Sequence, residues 1–238
     1  MKSLKPRMLK REARCCMQGH YKILALSSLL LLISNLVLNV MISILLPTSF
    51  QLVSILCYLI GLFAVTTISN VLSSGLYRIY RSITFHQPCS LKDLTFAFVN
   101  HPEPLAVFSA VSVVVDLISS YLMLFVSEFT SGAVLLILLL LICLFRIWFQ
   151  LTFACFPYLH AINCEDSWKQ MFQSCRQLMR RKRLSFFWLS LTFFGVILIS
   201  LCSLGIGFLF SIPYMQVTTT LFFNQLYDER IGHSEAEA

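Results

Sequence analysis

Residues 163–230 read NCEDSWKQMFQSCRQLMRRKRLSFFWLSLTFFGVILISLCSLGIGFLFSIPYMQVTTTLFFNQLYDER. Asn163 stands where a helix cap belongs, with Glu165 and Asp166 in the first turn, where acids suit the helix dipole. Trp168, Met171, Phe172, Cys175, Leu178 and Met179 recur at steps of three and four, which makes one apolar stripe. Lys169, Arg176, Arg180, Arg181, Lys182 and Arg183 bunch positive charge toward the end of that helix. The pattern predicts a helix lying in a membrane interface, aromatic side down, with Trp168, Arg180, Arg181, Lys182 and Arg183 on lipid headgroups. An almost uncharged run follows, about twice the ~20 residues that one crossing needs. The turn Ser203-Leu-Gly-Ile-Gly207 divides it into spans at 184–202 and 206–226, and Pro213 kinks the second.

Working outward, the rest of the chain repeats this plan. Of 238 residues, 58% are hydrophobic and 12% charged, and the mean hydropathy is +0.79. A soluble domain is nearer half apolar and about a quarter charged. Long apolar runs predict further spans at 23–46, 52–76, 105–126 and 132–156. The fold class is an all-α membrane protein of six transmembrane helices in three hairpins, with short cytosolic amphipathic helices at the interface. The chain divides into a basic segment at 1–22, a six-span domain at 23–227 and an acidic tail at 228–238.

Charge sets the threading. Of eighteen Lys and Arg residues, Arg146 alone falls inside a span, and none falls in the proposed outer links at 47–51, 127–131 and 203–205. Both ends are therefore expected in the cytosol, with the chain in a cell membrane. The net charge of +7 flanks apolar runs, which suits anionic headgroups and not nucleic acid. Leu4, Met8, Leu9 and Cys16 make one apolar side of a first surface helix. Ser90-Leu-Lys-Asp93 fits a capping box for a second, with Leu91, Leu94, Phe96 and Phe98 available to the membrane surface. The nine cysteines form no CxxC pair and predict no disulfide framework.

Polar residues inside the spans are the candidate functional groups. Asn35 and Asn39, four apart, share one helical face that should turn toward other helices. Asn70 lies in the hydroxyl-rich half of the second span. Asp116 and Arg146 are the two formal charges in the hydrocarbon, each costing about 2.5–3.5 kcal/mol at a helix centre. They lie roughly 17 Å and roughly 10–15 Å from the cytosolic ends of adjacent spans at ~1.5 Å per residue. Either they pair, or Arg146 snorkels to headgroups while Asp116 is protonated or bonded to Ser112, Ser119 or Ser120.

Recognised catalytic signatures are missing: there is no phosphate loop, HExxH, GxSxG or GxGxxG. His20, His86, His101, His160 and His233 are isolated and fall in loops or the tail. No metal, cofactor or catalytic group is expected.

The run 185–230, with Leu204-Gly-Ile-Gly207 and Pro213-Tyr214, resembles the C-terminal signature of the bacterial integral membrane family filed as domain of unknown function 975. REARCCMQGHYKILALSSLL at 11–30 is similar to that family's opening, residues 75–98 to its middle loop and residues 174–179 to its last inner loop. The basic run 180–183 and Gly195-Val196 depart from its pattern. The resemblance implies a bacterial multi-pass protein with no assigned activity and supplies no catalytic residues. The expected function is a non-catalytic accessory or partner-binding subunit, meeting a protein partner or a second copy of the chain. The alternative is a small permease or export component, with Asn35, Asn39, Asn70, Asp116 and Arg146 along a polar path. A membrane enzyme acting on lipid ranks last.

Overall fold

A computed structural model describes residues 6–17, 21–44, 52–85, 87, 91–129, 132–180, 182–203 and 207–236. The link 47–51, Ser90 of the capping box, Arg181 and the turn residues 204–206 lie outside the described residues. Helices run in the order α1 (Pro6–Met17), α2 (Tyr21–Ile44), α3 (Leu52–Thr84), a short 3-10 helix (Leu91–Thr95), α4 (Phe96–Val99), α5 (Glu103–Phe129), α6 (Ala133–Phe153), α7 (Phe156–Ile162), α8 (Trp168–Met179), α9 (Arg183–Cys202) and α10 (Phe208–Ala236). All regular structure among the described residues is helical.

Among the described residues, five stretches are long and apolar enough to cross a membrane: Tyr21–Met41, Ile55–Thr84, Glu103–Glu128, Val134–Ile162 and Arg183–Cys202. The sixth expected span falls in α10, which does not reach that apolarity. Burial explains its composition. Val217, Thr218, Thr220, Leu221, Phe222, Phe223 and Leu226 are all buried, so α10 is walled by protein and can carry hydroxyls where a lipid-facing helix could not. It packs on α1, α2, α3, α8 and α9. Its pairing with α9 is antiparallel, shown by a ladder along both helices. Lys182 Nζ is 3.0 Å from Glu229 Oε2, the Phe186 and Phe222 rings are 5.5 Å apart, those of Phe193 and Tyr214 6.4 Å, and Ser200 Oγ donates to Ser211 Oγ at 2.8 Å. Gly207 opens the return: a Cβ there would stand 2.6 Å from Ser200 Cα. The helix continues to Ala236, through the segment expected as an acidic tail.

The apolar core gathers at the end of the bundle that holds α1, α7 and α8. α3 reaches it by running beyond the expected boundary at 76 to Thr84, because Leu76, Ile79, Tyr80 and Ile83 keep a buried stripe going. The opposite ends of α2, α5, α6 and α9 expose leucine, isoleucine and phenylalanine, as lipid-facing helices do.

Four local expectations are corrected. Asn163 does not cap α8; it ends α7, and Ser167 caps α8 in a capping box with Gln170. Pro157 occupies the first turn of α7, where its missing N–H costs nothing. The stripe on α8 does not face lipid. Met171, Cys175, Leu178 and Met179 are buried against α5, α6, α7 and α10, and Trp168 alone of its large apolar residues is exposed. Periodicity marks an apolar face without saying whether protein or lipid covers it, and the same applies to Leu94, which is buried beside Gly75. On α1, Leu9 is buried and packs with Ala13 toward α10, while Met8 is exposed.

Candidate functional site

α3 packs on both α2 and α5, and α5 packs on α6. This order leaves a groove of about 460 Å³ with α3 and α5 at its base and α2 and α6 as its sides. Asn35, Asn39, Asn70 and Asp116 all line it, from three helices. Helical period explains the convergence: Asn35 and Asn39 are one turn apart, as are Ser112 and Asp116. Thr66, Ser69, Ser112 and Gln150 complete the polar lining and were not foreseen. Their signal was present, since Thr66, Ser69 and Asn70 recur at three and four and Gln150 stands one turn from Arg146.

Arg146 does not line the groove but stands behind the aspartate, with Nη2 2.8 Å from Asp116 Oδ1. The pair therefore forms, and Arg146 is held by Asp116. Both side chains stay partly open, at 38% for Arg146 and 45% for Asp116. The amides tie the helices together. Ser69 Oγ donates to Asn35 Oδ1 at 2.7 Å, joining α3 to α2, and Asn70 Nδ2 donates to Ser109 Oγ at 2.8 Å, joining α3 to α5. Asn39 Nδ2 donates to the Asn35 carbonyl at 2.7 Å.

One end of the groove is closed by rings. Phe108, Phe149 and Phe153 line it with Pro157. Behind them Phe108 stacks on Phe156 at 4.5 Å, and Phe172 of α8 meets Phe153 at 5.3 Å. Ring pairs at these distances attract each other, so the cluster ties α5, α6, α7 and α8 together at this end of the groove.

A second polar cluster lies deeper. His160 was expected in a loop, isolated; it is instead fully buried on α7. Ser74 Oγ lies 3.0 Å from its Nδ1, and its Nε2 lies 2.9 Å from the His101 carbonyl. His101 itself has φ of 48°, a left-handed conformation uncommon outside glycine. With the Nδ1 contact as a donation from serine, Nε2 carries the proton and donates to that carbonyl. The Tyr158 hydroxyl donates to Asn224 Oδ1, joining α7 to α10.

The residues expected at lipid headgroups are spread out. Trp168 is exposed with Lys169 Nζ 5.2 Å from its ring centre, and Arg180 is exposed. Lys182 pairs with Glu229, and the Arg183 guanidinium lies 4.9 Å over the Trp148 ring. Among the described residues no three His, Cys, Asp or Glu side chains gather to hold a metal ion. Cys155 and Cys175, both fully buried, bring their sulfurs to 2.9 Å. Comparison of the chain with family models, curated proteins and solved structures finds no match.

Proposed function

We propose that the chain is a multi-pass protein of a bacterial cell membrane whose groove binds a small molecule, as a small permease or export component would. One observation supports this above the others: polar groups on α2, α3, α5 and α6 converge on a single groove of about 460 Å³. That volume lies within the ~300–1,000 Å³ common to small-molecule sites. Helix association alone needs no such space, because amides that serve as glue bond to each other and leave no void. α10 would be the sixth span, α9 and α10 the third hairpin, and both ends would face the cytosol. The bacterial origin rests on the family resemblance.

Purification from the native membrane in gentle detergent, followed by mass spectrometry of retained molecules, tests this function. A small molecule retained in place of a protein partner is the expected result. It should be lost when Ser112 and Asn39 are replaced by leucine.

The second function is the accessory or partner-binding subunit, in which a partner helix takes the place of lipid on α6. α6 exposes Leu136, Ile137, Leu140, Leu141, Leu144 and Trp148, and no residue of its best membrane window is buried. A stoichiometric partner protein with no bound small molecule would establish it in place of the first.

A further inference from the structure

The groups that line the groove bear on the charge of its ligand. The hydroxyl protons of the lining residues are spent inside the protein. Thr66 Oγ1 donates to the Leu62 carbonyl at 2.8 Å, Ser112 Oγ to the Phe108 carbonyl at 2.9 Å, and Ser69 Oγ to Asn35 Oδ1 at 2.7 Å. A hydroxyl that has given its proton away presents only acceptor lone pairs. Asn39 and Asn70 each commit one of two amide hydrogens as well, to the Asn35 carbonyl and to Ser109, and among the described residues neither side-chain oxygen receives a bond. The hydroxyls and Asp116 thus offer acceptors, while Gln150 and the second amide hydrogens of Asn39 and Asn70 leave some donors beside them.

Two further features agree with that polarity. Asp116 lines the groove while Arg146, its counter-charge, does not, so the formal charge facing the space is negative. A carboxylate has about four lone-pair sites, so Asp116 can hold Arg146 through Oδ1 and still accept from a second donor. Phe108, Phe149 and Phe153 line the same space, and aromatic faces attract cations through their quadrupoles. An anion would find amide N–H donors there but would stand beside the Asp116 carboxylate, which repels it.

We propose that the groove binds an organic ammonium ion with an apolar body, its N–H groups on Asp116 and the lining oxygens and its body against the phenylalanine rings. The proposal rests on the groove being a small-molecule site. It adds the sign of the charge and names Asp116 as the anchor.

The test uses the full chain in lipid nanodiscs at neutral pH, with calorimetric titration of three probes of similar shape: 2-phenylethylammonium, 2-phenylethanol and 3-phenylpropionate. The cation is expected to bind saturably and about tenfold or more tightly than the other two, because it alone gains a charge-assisted bond. In D116N/R146Q, which removes both charges together, that preference should vanish. In Ser112→Ala, which keeps the ion pair, cation affinity should fall several-fold, so the proposal stays testable if the double variant does not fold. If the alcohol or the carboxylate binds as tightly as the cation, the groove remains a binding site and the ammonium assignment falls. If none of the three saturates, both fall.

Discussion

Arg146 and Asp116 face each other across the α5–α6 pair at 2.8 Å, each one turn from a further groove polar residue, Gln150 and Ser112. The arrangement is a clasp: α6 has few other polar ties to the bundle, and neither ion can be left alone in hydrocarbon cheaply. D116N and R146Q should each lower stability, and the double variant should lose less than their sum. The coupling should be about 0.6–1.7 kcal/mol, as for polar pairs between membrane helices. The value belongs at the lower end, because both side chains are more than a third exposed and solvent or headgroups screen them. Additive losses in a denaturation series would overturn the clasp.

His160 joins α3, α7 and the turn before α5 through Ser74 and the His101 carbonyl. His160→Leu should cost about 1–3 kcal/mol, since it leaves a buried hydroxyl and a carbonyl without their partner. Ser74→Ala on top of it should add little, because the bond it would break is already gone. Thermal unfolding of His160→Leu, Ser74→Ala and the double variant measures this; a full extra loss from Ser74→Ala in the His160→Leu background would mean that serine acts elsewhere.

Gly75 and Gly195 should behave differently although both sit within helices. A Cβ on Gly75 would lie 2.1 Å from the Leu94 carbonyl oxygen, and one on Gly195 would meet nothing within 4 Å. Gly195→Ala should be neutral or gain up to ~1 kcal/mol of helix propensity. Gly75→Ala should lose about 1–3 kcal/mol, because α3 and the 3-10 helix must move apart. Equal melting temperatures for the two variants would contradict that close approach.

Cys175 should be slow to react with thiol reagents. Burial pushes its thiol pKa up, and neighbouring Cys155 adds to the shift. A raised pKa means less thiolate at any working pH, and thiolate is the nucleophile. Under N-ethylmaleimide at pH 7.5, exposed Cys15 should be modified first, and Cys155 and Cys175 only after denaturation. Peptide mass spectrometry reads the order, and early modification of Cys175 would show that α8 lifts off the bundle.

Helix placement was legible in the sequence because lipid demands long apolar runs: α2 begins two residues before the expected start at 23, and α9 begins one before 184. The depth count that allowed Asp116 to meet Arg146 worked for the same reason, since two adjacent helices share one membrane frame. What covers an apolar stripe was not legible. Met171, Cys175 and Leu178 look alike in sequence whether α8 lies on lipid or on α7. The groove was half visible. Amides and charges stand out in a span, but Thr66, Ser69 and Ser112 hide among the many hydroxyls that merely bond their own helix. His160 was missed because α7 follows a break at residues 154–155, which made a buried helix look like a loop.

The central position of α10 has a consequence for biosynthesis. α10 leaves the ribosome after every other described helix, yet it packs on α1, α2, α3, α8 and α9, with Phe223 against Tyr77 of α3, Tyr158 of α7 and Phe186 of α9. Until it arrives, the place that α10 fills among these helices stands vacant. Leu9 and Ala13 of α1, the first helix made, must wait for the last one before their apolar side is covered. Assembly intermediates should therefore be open, long-lived and recognisable to membrane chaperones, with the amino-terminal helix serving as the final latch instead of the first foundation.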